Sequence, residues 1–119
     1  MNTAILNKYK IDFEIINNSA YIKQLEITDF NFCIATYLNL IPYVTYLTNE
    51  VLVEIDKALN NQFFDKDAGG ETTFLEIGNP NSTFTYTGAS THHVSIPTVD
   101  LKEIILSWIE FLTINGIVN

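Results

Sequence analysis

At Pro97 the apolar residues of this chain change period, and that change limits what can be built around it. From Thr91 to Ile96 the pattern alternates: His92, Val94 and Ile96 share one face, His93 and Ser95 the other. Beyond Pro97, Leu101, Ile104, Ile105, Trp108 and Leu112 recur as one helix face, joined by Phe111, while Lys102, Glu103, Ser107 and Glu110 fall opposite. Alternation marks a half-buried strand, and a period near 3.6 marks an amphipathic helix. A strand leading directly into such a helix predicts a sheet with a helix packed on it. Thr98 reads as the helix cap, Asp100 and Glu103 as first-turn acids that suit the dipole, and Gly116 as the stop.

Two more strands precede that one. Glu71–Ile77 and Ser82–Thr87 alternate, with turn chemistry at Gly78–Asn81 and Gly88–Ser90. Together the three form an antiparallel meander. A separate hairpin is expected at the N-terminus. In residues 9–16, Tyr9, Ile11, Phe13 and Ile15 share a face; Asn17, Asn18 and Ser19 turn the chain; Ala20–Ile27 returns with Tyr21, Leu25 and Ile27 inward. Thr48 or Asn49 can cap a helix to about Asn60, burying Val51, Leu52, Ile55, Ala58 and Leu59 and exposing Glu50, Glu54 and Lys57. Phe63–Gly70 reads as a loop.

The stretch from Thr28 to Leu47 fits two patterns. Phe30, Ile34, Tyr37, Leu38 and Ile41 recur at helical spacing after a cap at Thr28 or Asp29, yet Phe30, Phe32, Ile34, Thr36, Leu38 and Leu40 also alternate. The helix is preferred, ending before Pro42 because proline disfavours helical backbone at the residue before it. The expected fold is therefore α+β: an N-terminal hairpin plus a three-stranded meander, with two or three helices, the last packed on the sheet. The 119 residues suit one domain.

Fourteen acids face six lysines and no arginine, a net charge of −8. That field repels nucleic acid and anionic membrane surfaces and favours a cationic partner. Acid in excess can equally serve solubility alone. The first ten residues show no signal peptide, the most apolar window is interrupted too often to span a membrane, and Cys33 is the single cysteine. Together these suggest a cytoplasmic protein.

No constellation of catalytic residues emerges, so the chain is read as a non-enzyme without cofactor or metal. Ala68-Gly69-Gly70 lacks the spacing and the following lysine of a phosphate loop. Cys33, in an apolar segment, reads as a buried structural thiol. His92 and His93 point to opposite faces of a strand and cannot easily share one ion; zinc would need further ligands such as Asp65 or Asp67. Instead, Glu50, Glu54, Asp65, Asp67, Glu71 and Glu76 surround Phe63, Phe64, Tyr86 and His93 along the chain. The six acids, with Tyr86 and His93, are the candidate contacts for a basic protein surface. Scattered acids over a core containing Phe63 and Phe64 fit the sequence equally well.

The run IPTVDLKEIILSWIEFL, Ile96 to Leu112, resembles the closing segment of small bacterial immunity proteins of polymorphic and contact-dependent growth-inhibition toxin systems. The resemblance implies an acidic domain that binds and blocks a cognate toxin domain, many such toxins being nucleases. It covers about seventeen residues of the chain and carries over no contact residue. The alternatives are a protein-binding or dimerising module of another pathway, or a small enzyme or ligand carrier.

Overall fold

The structure, a computed structural model, describes residues 1–88 and 90–117. It is α+β, with a two-stranded and a four-stranded antiparallel sheet and the last helix packed on the larger one. Helix α1 is Thr3–Tyr9, followed by strands β1 (Ile11–Ile16) and β2 (Ser19–Gln24) and helix α2 (Asp29–Leu38). A helical rod then runs through α3 (Val44–Tyr46), a π turn (Leu47–Val51) and α4 (Leu52–Leu59). Strands β3 (Asp67–Gly70), β4 (Thr73–Glu76), β5 (Asn81–Thr87) and β6 (Thr91–Pro97) pair in that order and lead into α5 (Thr98–Ile114). Ala89, within the expected Gly88–Ser90 turn, lies outside the described residues.

Strand parity sorts the large sheet into two faces. Thr73, Leu75, Ser82, Phe84, Val94 and Ile96 point inward under α2 and α5 and are buried. Phe74, Glu76, Thr83, Thr85, His93 and Ser95 form the outer face, where Glu76, Thr83 and Ser95 stand in one row and Phe74, Thr85 and His93 in the next. Trp108 is fully buried: its indole lies 5.1 Å from the Phe13 ring, and its N–H reaches the Ile41 carbonyl. Leu101, Ile104, Ile105 and Leu112 are buried with it, and α5 ends as expected, with Gly116 at φ +72°.

Several expectations need correction. Tyr9 is the last residue of α1, a helix that the alternation from Tyr9 onward concealed. In the hairpin, Ala20 and Ile22 point inward, whereas Tyr21, Leu25 and Ile27 are exposed, Ile27 to 93%. Register decides this: Ile22 faces Phe13 and Ala20 faces Ile15 across the ladder, so the odd positions of β2 turn out. Ile15 at the hairpin end is itself exposed, as is Phe30 at the outer start of α2. The 28–47 stretch is indeed helical at first, and Thr28 is its cap. The Thr28 hydroxyl accepts the Asn31 N–H while the Asn31 side chain accepts the Thr28 N–H, a reciprocal pair.

The next helix starts at Val44, earlier than expected, so Thr48 and Asn49 lie within the helical rod and cap nothing. Thr98 is not a cap either. Pro97 holds that position, and the buried Thr98 hydroxyl donates to the Gly78 carbonyl and lies 2.7 Å from Ser82 Oγ. Ser107, expected on the outer side of α5, is buried and accepts the Asn2 N–H. The expected loop Phe63–Gly70 ends in β3, which makes the meander four-stranded.

Candidate functional site

Strand β3 is short, glycine-rich and irregular, and it is held in place from above. The Ala68 carbonyl accepts the buried Tyr37 hydroxyl of α2 at 2.8 Å and the Tyr46 hydroxyl of α3 at 3.4 Å. Gly70, at φ +131°, closes the β3–β4 turn where a Cβ would collide with the Thr73 carbonyl. These ties bring the start of β3 against the π turn and α4.

Four of the six candidate acids meet there. Glu50 from the π turn, Glu54 from α4, Asp65 from the loop and Asp67 from β3 line one groove of about 320 Å³, with Tyr46 and Ile77 beside them. Glu50 and Glu54 are four residues apart and so share a helix face. Carboxylates also build the groove's wall. Glu54 accepts the Asp65 N–H at 2.8 Å, Asp65 accepts the Asp67 N–H at 3.0 Å, and Asp67 accepts the Gly69 N–H at 2.9 Å. The Asp65 N–H, then Lys57 at 3.1 Å, hold the Glu54 carboxyl below its ordinary pKa. Burial, then the charges of Glu50 and Asp67, raise the pKa of the Tyr46 hydroxyl.

The other candidates sit elsewhere. Glu76 stands opposite Asp67 on the neighbouring strand and extends the acidic edge onto the outer face. Glu71 lies in the β3–β4 turn, at the far end of that hairpin. Tyr86 is on the inner face, its ring edge-on to Phe32 at 4.7 Å, and is not available beside the acids. The parity it shares with Phe84 already pointed inward. His93 is on the outer face, as expected, hydrogen-bonded to Thr85. His92 sits at the core edge between Phe32 and Tyr86, its imidazole 3.1 Å from the Asp29 carboxylate.

Sequence reasoning gave Tyr43, Tyr46 and Phe63 too little weight. Phe63 is 98% exposed, two residues before Asp65, and Tyr43 and Tyr46 are exposed next to Glu50. Phe64 is half-buried against the core. Phe63 is almost wholly in water two residues before Asp65 but is not among the residues lining the groove.

The groove gathers four carboxylates. Among the described residues no three His, Cys, Asp or Glu side chains come close enough to hold a metal ion. Cys33 is fully buried; burial, then Asp29, raise its pKa and oppose thiolate formation. Among the described residues no helix is long and apolar enough to cross a membrane. Comparison of the chain with known protein families, with characterised proteins and with solved structures gives no match.

Proposed function

We propose that this chain is a protein-binding module whose acidic groove receives a basic surface, and that its partner is a toxin domain which it neutralises. The convergence of Glu50, Glu54, Asp65 and Asp67 on one groove supports the first part. Lysine or arginine side chains entering it would meet several carboxylates at once. Phe63, Tyr43 and Tyr46 would supply the apolar anchors that give such contacts their affinity. The second part rests on the resemblance of residues 96–112 to immunity proteins and on the net charge of −8. In this reading the protein acts by occlusion and needs neither catalysis nor a cofactor.

The test is co-expression with the small basic C-terminal domain of a large secreted protein encoded next to this gene. Cells carrying that domain should survive only when this chain is present. Absence of such a gene, or no binding of the purified pair at micromolar concentration, would contradict the toxin reading. A binding module of another pathway would then take its place.

A further inference from the structure

The large sheet ends at β6, and that edge is open. Thr98 N–H donates to the Pro80 carbonyl at 2.8 Å, and the β5–β6 register continues from that pair without a shift. In an antiparallel ladder bonded and non-bonded pairs alternate. Counting back from Thr98, Ile96, Val94 and His92 bond to β5. The backbone N–H and C=O groups of Ser95 and His93 therefore point away from the sheet, and no partner meets them among the described residues. Pro97, the next outward position, has no N–H to leave unpaired.

An open, mostly apolar groove of about 540 Å³ lies at this edge, where Ser95 and Pro97 meet Lys8, Lys10, Glu26 and Phe30. With a rise of ~3.3 Å, a strand spacing of ~4.8 Å and a sheet spacing of ~10 Å, one strand residue fills roughly 160 Å³. The groove thus has room for three or four residues of added strand. Phe30, which lines the groove, is 45% exposed. Lys8 is already paired with Asp100 at 2.8 Å, which leaves Lys10 and Glu26 as the lining charges without an ion pair among the described residues.

We propose that the β6 edge is a second docking site, which takes an extended segment of another protein as a fifth strand of the sheet. The segment bonds to the backbone of Ser95 and His93, lays apolar side chains over Phe30 and brings a carboxylate to Lys10. A second copy of this chain fits less well, because it would bring its own wall of Lys8 to Phe30 against this one. The acidic groove lies at β3, at the other end of the strand order. The two sites lie at opposite edges of the sheet, and this one stands whether or not the toxin reading does.

The probe is a display library of random nine-residue peptides selected on the intact chain, with recovered peptides then made synthetically. Recovered sequences should alternate apolar and acidic residues, and binding should slow amide exchange at His93 and Ser95. Ser95→Pro removes an N–H that β5 does not use and should weaken binding by about tenfold or more. Lys10→Asn removes the charge and should weaken it by about fivefold. Asparagine tolerates the left-handed backbone at φ 56°, so this variant keeps the test valid if the proline variant does not fold. Recovery of no peptide, protection at other amides, or indifference to both substitutions would overturn the proposal. So would a dimer of the chain alone that protects His93 and Ser95 and dissociates in Ser95→Pro.

Discussion

Asn31 shows how one polar residue can hold a fold together. It is fully buried, and its side chain accepts from Thr28 N–H and Gln24 Nε2 while donating to the Glu26 and Lys10 carbonyls. In the sequence it only interrupts an apolar run. Its role depends on three segments meeting, which no local pattern encodes. Removing the side chain strands several buried partners, so Asn31→Ala should cost about 2–4 kcal/mol in denaturant unfolding. Trp108, by contrast, was legible from helix spacing alone. Trp108→Ala should cost about 3–5 kcal/mol, and Glu110→Ala far less. A Trp108→Ala protein as stable as the parent would mean that the buried face of α5 is misassigned. Gly70→Ala should destabilise by about 1–3 kcal/mol, because the strain falls on backbone that cannot move aside.

At the scale of elements, periodicity located β1, β2, α2, α4, β4, β5, β6 and α5 and missed α1, α3 and β3. The missed elements are short and carry their information in contacts. Helix α1 is capped by Asn2, which also bonds Glu103, and Lys8 and Tyr9 both donate to Asp100 of α5. Strand β3 has two glycines among its four residues and is defined by the tyrosines that hold it. The same dependence on tertiary contact gives a pH prediction. Burial opposes ionisation of Asp100, but Lys8 and Tyr9 outweigh it and keep its carboxyl below the ordinary range. A lowered folded-state pKa contributes stability above the unfolded value, and that contribution is lost as pH falls through the folded one. Asp100→Asn should therefore destabilise at pH 7 by about 1–2 kcal/mol and speed amide exchange in α1. The difference should shrink once the pH drops below about 4. A deficit equally large in strong acid would remove Asp100 ionisation from the account.

For the whole molecule, the acidic site was partly legible. Glu50, Glu54, Asp65 and Asp67 follow one another through a helix and the loop after it, so closeness in sequence became closeness in space. Tyr86 and His93 are strand residues whose direction is set by parity, and they fell on opposite faces of the sheet. What the sequence left unweighted is exposure: Phe63 stands free at 98%, and nothing in its neighbourhood along the chain distinguishes it from a core phenylalanine. Phe63→Ala should leave stability nearly unchanged and weaken partner binding by about 2 kcal/mol or more, read by titration calorimetry beside thermal unfolding. Equal loss of both would place Phe63 in the fold and not in an interface.

The central claim is that an acidic groove draws in a basic partner, and association kinetics test it most directly. Stopped-flow mixing of the chain with the basic domain from the neighbouring gene would be followed from about 0.02 to 0.5 M salt, where the screening length contracts severalfold. The association rate should fall by about tenfold or more while dissociation changes less. Replacing Glu50 and Asp67 together by lysine should slow association at low salt and flatten its salt dependence. An association rate indifferent to both salt and the paired reversal would contradict the account.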